Sequence, residues 1–276
     1  LRIVLMETDM QQKKSQKIFS KEFNKFLSFL ESGENFAFSR FSDGELHMLQ
    51  NMYFKITDDH FIEGTNEGMC KYTKEEHKEF IPEKHGFYRD KLEESFRFRA
   101  PNYFKGICGR KDVGEKDFLW QVDLNDGNTD DLTFSNVFIN ANYKRFIEEI
   151  MVEVKKRPVV IICNEAAELS GLTLSIVKDF RVGSNCIVNN YDIVEEIKDW
   201  ILTENIHDHI FLCSAASLSN FIIHQCFEEF PNNTYLDIGS ALNPWLGLEG
   251  WMYSRGYLQY WLLGHKNRYG EQVDVW

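Results

Sequence analysis

The feature that most constrains this fold is the alternation of short apolar runs with helix-like segments in the second half of the chain. Residues 158–164 (PVVIICN) are almost continuously apolar and of strand length, as expected for a parallel strand covered on both faces. The same half contains predicted strands at 186–189, 209–214 and 234–238, and predicted helices at 192–202 and 217–230. The pattern predicts an α/β fold, a Rossmann-like parallel sheet with helices on both faces.

The first half has fewer strand signals. Apolar side chains at helical spacing predict a helix over residues 14–32, which ends near Gly33, and residues 35–41 read as a short aromatic strand. Further strands are predicted at 103–109 and 136–140, the second leading into a helix at 143–155. We expect one domain over residues 1–276, with a helical and loop excursion at 58–133, acidic from 111, and an aromatic carboxyl-terminal extension at 245–276.

Charge restricts the ligands that this chain can bind. Its formal net charge of −12 argues against a general nucleic-acid binder, which needs clustered Lys and Arg to neutralise phosphates. An acidic chain can still hold a phosphorylated ligand, provided that a bound cation or a local basic pocket assists. We therefore expect no nucleic-acid partner.

Cysteine usage and hydropathy indicate the compartment. The six cysteines include no CxxC pair, so buried free thiols in a reducing compartment are expected, and a zinc site is not. No apolar run approaches the length of a transmembrane helix. We expect a cytoplasmic protein, and the start at Leu1 rather than Met is consistent with a truncated amino terminus.

The sharpest local motif is residues 40–45 (RFSDGE), at the end of the first predicted strand. The carboxylates of Asp43 and Glu45, separated by one glycine, can converge on a hard cation, and Arg40 can add a positive charge beside a diphosphate. The alternative is a plain turn, since Asp-Gly is a common turn dipeptide and Glu is favourable at a helix start.

Other polar residues follow the later predicted strands. Asp237, with Gly239 and Ser240 behind it, suits a ribose or an acceptor hydroxyl, or alternatively caps the next helix. Glu165 follows residues 158–164, and the small residues 214–217 can expose helix-start amides to a phosphate. The carboxyl ends of parallel strands share one rim, so these residues are expected to lie close together.

A further polar turn follows the predicted strand at 136–140. Its amides, Asn140 and Asn142, and the cation Lys144 could bind a base, ribose or phosphate, or they could simply form a capped helix with a solvated basic turn. His224, among apolar neighbours on a predicted helix, is interpreted as a core residue.

Residues 40–45 resemble the Arg-Phe-Gly-Asp-Gly-Glu signature of type-D (GT-D) glycosyltransferases, whose Asp-x-Glu binds the divalent metal and the donor diphosphate. Segments 140–143, 214–217 and 235–240 and the strand end at Glu165 recur in similar order in that family and its uncharacterised relatives, so the resemblance covers roughly residues 15–245. It implies glycosyl transfer with Mn²⁺ or Mg²⁺ from a nucleotide-sugar donor to a glycan or glycoconjugate acceptor. We expect a UDP-sugar first and a GDP-sugar second.

The resemblance also implies roles for individual residues. Asp43 and Glu45 would bind the metal, and Asp237 or Glu165 would act on the acceptor. The donor-binding set would be Arg40, Phe41, Gly44, Asn140, Asn142, Lys144, Ser214, Gly239 and Ser240. The chain departs from the family at Ser42, where glycine is usual, at 214–216, which lack the usual glycine and proline, and at Ser240, which replaces a histidine.

Two other functions fit parts of the sequence. Residues 236–240 imitate the first nucleotide-binding loop of S-adenosylmethionine-dependent methyltransferases, although that loop should follow the first strand of the sheet. A non-catalytic nucleotide-sugar-binding scaffold would keep the fold without turnover.

Overall fold

The computed structural model describes residues 17–56, 62–63, 78–248 and 257–263, to which all structural statements below refer. The strands, in chain order, are β1 (Ala37–Arg40), β2 (Phe54–Ile56), β3 (Ile62–Glu63), β4 (Glu79–Phe80), β5 (Tyr103–Ile107), β6 (Leu132–Phe134), β7 (Val159–Asn164), β8 (Ile176–Val182), β9 (Ile210–Cys213) and β10 (Thr234–Asp237).

Nine helical segments accompany these strands within the described residues. They are α1 (Phe19–Ser32), α2 (Asp43–Leu49), α3 (Pro82–Arg97), α4 (Arg110–Leu124), α5 (residues 143–154), α6 (Cys186–Asn189), α7 (Ile193–Thr203), α8 (Leu218–Glu229) and α9 (Tyr257–Leu262). A π-helical stretch, Phe146–Ile150, lies in the middle of α5. Short 3₁₀ turns occupy Asn140–Asn142, Leu169–Gly171 and Asn243–Trp245.

Seven strands form the central sheet in the order β6-β5-β1-β10-β9-β7-β8, and every neighbouring pair is parallel. β2, β3 and β4 form a separate small antiparallel sheet. Helices pack in two groups, α1 and α9 against α5, and α3 and α7 against α8. The predicted fold class, a parallel sheet flanked by helices, is confirmed.

The connections that leave two adjacent strands, β7 and β9, run in opposite directions. The chain continues from β7 outward to the edge strand β8, whereas it continues from β9 inward to β10. In an open α/β sheet, the loops at such a point separate and leave a crevice at the carboxyl ends of the strands. The topology therefore places a ligand cleft between the loops that follow β7, β9 and their neighbours.

The core matches the continuous apolar pattern of the interior strands. Residues 159–163 of β7 and 210–213 of β9 are buried at every position, because helices cover both faces of the sheet there. On the α1 side, Phe26 contacts the rings of Phe36, Phe38 and Phe138. This aromatic layer anchors β1 and thereby fixes the position of its carboxyl end.

Two predicted strands are wrong. Residues 186–189 form helix α6, and their apolar character arises because Cys186 and Ile187 are buried. Residues 136–140 form turns, while the strand lies earlier, at β6. Residues 111–133, expected to be an acidic excursion, contain most of α4, and β5 within the segment 58–133 is part of the central sheet.

Sequence patterns also missed the edge strand β8. Lys178, Asp179 and Arg181 interrupt its apolar residues, which is the composition expected of an edge strand with a solvated side. The remaining predicted elements agree with the structure within a few residues, apart from the first helix, which was expected from residue 14 and begins at Phe19; residues 1–16 lie outside the described part of the chain.

Within the described ranges, five cysteines are free and buried, as expected, and Cys70 lies outside these ranges. No helix among the described residues is both long enough and apolar enough to cross a membrane. The carboxyl-terminal extension expected at 245–276 is described only at 245–248 and 257–263.

Candidate functional site

A cleft opens at the carboxyl ends of the strands and contains about 810 Å³ of empty space, including space open to solvent. Its floor is made by the last residues of the strands and by the loops after them: Arg40 from β1, Asn164 from β7, Val182 from β8, Ser214 after β9 and Gly239 after β10. Ser240 lines the same cleft. Four of the predicted donor-binding residues, Arg40, Ser214, Gly239 and Ser240, therefore share one cavity.

A second, smaller cavity of about 240 Å³ adjoins the first. Arg40 and Ser240 line both cavities, and Asp237 lines the smaller one together with Ser135 and Phe138. The guanidinium of Arg40 thus lies between the open cleft and the buried carboxylate of Asp237.

Hydrogen bonds and charges hold Arg40 in place. Its Nε donates to the carbonyl oxygen of Ser135 (2.8 Å), and its Nη2 donates to Ser42 Oγ (3.0 Å). Removal from bulk water would lower the pKa of Arg40, but the carboxylates of Asp237 and two further acids, Glu45 and Asp43, outweigh this effect and raise its pKa. The side chain is a fixed positive charge within a group of three carboxylates.

Asp237 is 4% exposed, and backbone amides hold its carboxylate. Oδ1 accepts a hydrogen bond from Gly239 N (3.0 Å), and Oδ2 accepts one from Arg40 N (3.3 Å). Burial raises the pKa of Asp237 to about 7, although Arg40 and the two amide donors oppose the rise. A carboxyl group that titrates near neutral pH can accept or donate a proton under physiological conditions.

Asp43 and Glu45 lie in the first turn of helix α2, which begins at Asp43 rather than after a turn through Gly44. Glu45 Oε2 accepts a hydrogen bond from Ser42 N (2.9 Å), and its Oε1 accepts one from Ser217 Oγ (2.5 Å). Asp43 Oδ1 accepts hydrogen bonds from Ser42 Oγ (3.1 Å) and Gly44 N (3.0 Å). Both carboxylates therefore accept a hydrogen bond from Ser42, and both stabilise the start of helix α2.

The donor chemistry of Asp43 and Glu45 fits a divalent cation that is shared with a phosphate ligand. Carboxylate oxygens are the ligands that Mg²⁺ and Mn²⁺ prefer, and Mg²⁺ sites commonly use one or two carboxylates together with substrate phosphates. No group of three or more His, Cys, Asp or Glu side chains among the described residues is arranged to hold a metal by itself. A cation at Asp43 and Glu45 would therefore need further oxygen atoms, which a bound phosphate ligand can supply.

Two backbone positions in the cleft adopt left-handed conformations. Gly239 has φ +49°, and a Cβ on it would lie 2.9 Å from Arg40 Nη1, so only glycine lets the arginine approach this closely. Ala216 has φ +46° despite its side chain. The turn at 214–217 thus reaches without glycine a conformation that glycine adopts at less cost, and Ser217 ties it to Glu45.

Other predicted donor-binding residues have structural contacts. Asn142 is buried and donates to the carbonyl oxygen of Val137 (3.0 Å), while Lys144 is about half exposed and pairs with Glu148 (3.7 Å). Asn140 has φ +53° at the start of a 3₁₀ turn. Neither these three residues nor Phe41 and Gly44 are among the described residues that line the large cleft.

Glu165, the second predicted acid, is exposed after β7. Its Oε1 lies 3.4 Å from the position that a Cβ on Gly183 would take, and Gly183 lines the cleft. Glu165 thus stands beside the part of the cleft that Gly183 lines. His224 is largely buried between α3 and α8, where it contacts Ser95 Oγ (3.2 Å), as expected for a core residue.

The sequence reasoning missed one side of the cleft. Lys78 and the loop after β8, Gly183-Ser184-Asn185, line it, as does Asn243. The run of small polar residues at 183–185 is a loop signal, but it points to a strand end only when β8 is recognised as a strand. Lys78 comes from the charged segment at 58–133, in which no single residue is distinctive.

Comparison with known proteins gives matches at the level of the fold. No protein-family model matches the sequence, and no curated protein matches it significantly. The selenomethionine-substituted structure of domain of unknown function 1792 superposes with a TM-score of 0.50 and 9% identity, covering 91% of this chain and 88% of that one. A further structure of the same domain, described as having a distinct glycosyltransferase fold, gives a TM-score of 0.49 and 10% identity over the same shares.

The similarity extends over nearly the whole of both chains. At the level of the fold, it agrees with the resemblance inferred from residues 40–45. This chain therefore shares the fold of the domain of unknown function 1792.

Proposed function

We propose that this protein is a metal-dependent glycosyltransferase, which moves a hexosyl or pentosyl group from a nucleotide diphosphate donor to a hydroxyl group of a glycan or glycoconjugate. One observation carries the proposal: Arg40 lies between an open cleft and a buried Asp237, with Asp43 and Glu45 beside it. The glycosyltransferase fold described for the domain of unknown function 1792 is consistent with this activity.

The main electrostatic task in such a transfer is to stabilise the diphosphate that leaves the sugar. Arg40 is suited to it, because its guanidinium is held in a fixed orientation and faces the cleft. The loops at 214–216 and 239–240 line the same floor. We assign the donor diphosphate to this part of the cleft, with a UDP-sugar as the first candidate and a GDP-sugar as the second.

Asp43 and Glu45 would hold Mn²⁺ or Mg²⁺ together with the diphosphate. When bound, the cation supplies additional positive charge against the leaving group. The hydrogen bonds from Ser42 and Ser217 keep the Glu45 carboxylate oriented and leave lone pairs on its oxygens for a ligand.

Asp237 is the stronger candidate for the group that takes the proton of the acceptor hydroxyl. Its pKa near 7 allows it to accept a proton at neutral pH and to release it again. Glu165 is the alternative, and it is exposed beside Gly183. A methyltransferase is less well supported, because residues 236–240 lie at the end of β10, the last strand among the described residues, rather than after the first strand.

The test measures transfer and donor hydrolysis with a panel of UDP- and GDP-sugars in the presence of Mn²⁺. Asp43→Asn removes a metal-binding charge with little change in shape, and we expect it to lower the metal-dependent rate by roughly 100-fold or more. Ser217→Ala is the matched control, because it removes one hydrogen bond to Glu45 and keeps both carboxylates. It should lower the rate by less than about 10-fold, since about one hydrogen bond is lost.

Full metal-dependent turnover by correctly folded Asp43→Asn would contradict the assignment of the metal site. Binding of a nucleotide sugar without any turnover, with or without acceptors, would support a non-catalytic scaffold instead.

A further inference from the structure

The amide of Asn220 is buried against the end of β1 and lines neither of the two cavities. Asn220 lies in the first turn of α8, and its side chain is 0% exposed. Its Nδ2 donates to Ser39 Oγ (2.9 Å) and to the carbonyl oxygen of Arg40 (3.0 Å). One side chain of α8 therefore binds the last two residues of β1.

Both backbone groups of Arg40 bond to side chains. Its N–H donates to Asp237 Oδ2 (3.3 Å), and its carbonyl oxygen accepts from Asn220. The guanidinium is bonded separately, to Ser135 and Ser42. Asn220 and Asp237 thus hold the backbone of Arg40 from α8 and from β10, and the backbone sets where the guanidinium lies relative to the cleft.

The start of α8 also reaches an acid of the candidate metal site. Ser217, the residue before α8, donates to Glu45 Oε1 (2.5 Å). Positions 217 and 220 are three apart, and residues at this spacing are neighbours on the surface of a helix. One turn of the helix therefore contacts both Arg40 and Glu45, so their relative position depends on a single packed element.

An amide is the side chain that suits two neighbouring acceptors. Ser39 Oγ and the carbonyl oxygen of Arg40 both accept, and the NH₂ group of an asparagine supplies two donors at once. The other polar atom of this amide, Oδ1, is buried and has no hydrogen-bond partner among the described residues. The contribution of Asn220 therefore comes from its two N–H donors, and leucine, an apolar side chain with the same branching, removes both.

We propose that Asn220 is a positioning residue, which holds the end of β1 so that the guanidinium of Arg40 faces the cleft and its backbone N–H meets Asp237. The inference rests on the proposed function where it concerns transfer, because that function assigns Arg40 to the donor diphosphate and Asp237 to the acceptor proton. Without the bond to Asn220, the end of β1 can shift, and a displacement of about 1 Å at reacting groups can lower a rate by roughly 100-fold.

The first measurement needs no substrate. In the free chain in EDTA, the pKa of Asp237 is followed by NMR titration of ¹³C-labelled aspartate, with Asp237→Asn to assign the signal. Burial raises this pKa, Arg40 lowers it through its charge and its N–H, and Glu45, the other charged group near Asp237, raises it. Asn220→Leu weakens both contributions of Arg40, so it should raise the pKa above that of the unsubstituted chain.

Two matched controls separate positioning from stability. Asn233 is equally buried, its amide bonds to two backbone groups, and it precedes β10 at the end of the sheet opposite to the cleft. Asn233→Leu should lower the melting temperature and leave the pKa of Asp237 unchanged. Ser39→Ala removes the other acceptor of Asn220 and keeps the bond to Arg40, so it should also leave this pKa unchanged.

The second measurement is turnover of nucleotide sugars with Mn²⁺. Asn220→Leu should lower kcat by roughly 10-fold or more and change the KM of the donor by less than about threefold, because the charge of Arg40 remains. Asn233→Leu and Ser39→Ala should retain the kcat of the unsubstituted chain. Should a leucine variant fail to fold, Asn220→Ser and Asn233→Ser give the same comparison with a shorter side chain.

The proposal is overturned if folded Asn220→Leu leaves the pKa of Asp237 unchanged, or if Asn233→Leu raises it as much. It is also overturned if Ser39→Ala reproduces the effects of Asn220→Leu, because the bond to Arg40 would then be irrelevant. The expected pKa change in a chain that transfers no sugar would contradict the proposed function and still support the positioning of Arg40 by Asn220.

Discussion

The end of the cleft at Arg40, here the Arg40 end, differs in structure from the side formed by the loop after β8, residues 183–185. At the Arg40 end, ionisable groups are enclosed, and hydrogen bonds join Arg40 to Ser42 and Ser135, and Ser42 to Glu45. At the other end, the loop after β8 exposes Ser184, and Asn185 adopts φ +48° before the short helix α6. Fixed dipoles and charges suit the stabilisation of a developing charge, whereas a loop of polar residues suits the recognition of a variable substrate.

Burying charged groups at the Arg40 end has an energetic cost that can be measured. A carboxylate held away from water and an arginine close to several acids stay charged only because each compensates the charge of the other. Removing one partner should therefore affect the Arg40 end far more strongly than substitutions of exposed charges elsewhere.

The largest effect is expected from the pH dependence of Asp237. Because burial raises its pKa from 3.8 to about 7, the folded chain holds a proton that the unfolded chain has lost, so this group makes stability fall as pH rises from about 4 to about 7. Over this pH range, the contribution of Asp237 to the free energy of unfolding falls by about 4 kcal/mol. Asp237→Asn removes this contribution, and urea unfolding of both proteins in EDTA between pH 4 and 8 measures it. Parallel pH profiles would show that Asp237 does not titrate as described.

The next effect concerns Arg40→Met. It leaves Asp237 and its neighbouring carboxylates without their positive partner, and we expect a loss of about 3 kcal/mol at pH 8. The loss should be smaller at pH 5, where Asp237 is protonated. Arg89→Met is the control, because Arg89 pairs with Asp90 at the surface, and it should cost less than about 1 kcal/mol. Equal losses for the two variants would show that Arg40 contributes no more to the free energy of unfolding than an exposed arginine does.

The smallest of the three effects compares two glycines. Gly239→Ala places a Cβ 2.9 Å from Arg40 Nη1 at φ +49°, whereas Gly127→Ala has φ +71° with no other atom within 4 Å. Both carry the strain of a left-handed alanine, about 1 kcal/mol, and only the first also displaces the arginine. We expect Gly239→Ala to lose roughly 1 kcal/mol more in thermal unfolding, and to lose transfer activity that Gly127→Ala keeps. Identical behaviour would show that Arg40 does not need this close approach.

Several elements were predictable because their signals are local. The buried strand β7 is a run of apolar residues, and α8 and the first helix show helical spacing. The edge strand β8 could not be recognised in the same way, because one of its sides is solvated and charged residues interrupt its pattern. Missing β8 also concealed the loop at 183–185, and with it one end of the cleft.

The candidate site was likewise predictable only in part. The polar residues after β1, β9 and β10 were expected on one rim, since parallel strands end on the same side of a sheet, and Arg40, Ser214 and Gly239 do line one cleft. Asn142 and Lys144 could not be placed from their types alone. Asn142 hydrogen-bonds a buried carbonyl, and Lys144 forms an ion pair at the surface. In the sequence, these residues cannot be told apart from an asparagine and a lysine that bind a ligand.

By itself, the sequence determined the class of the fold, the strands of the interior and the acidic motif at residues 43–45, because apolar periodicity and turn chemistry act over a few residues. Only the tertiary structure decided that Asp237, 197 positions after Arg40, lies against its backbone, and that Ser217 reaches Glu45 across 172 positions. Such contacts depend on the order of the strands, which no local pattern encodes. The pKa of Asp237 follows from the same cause, since burial and neighbouring charge exist only once the sheet is assembled.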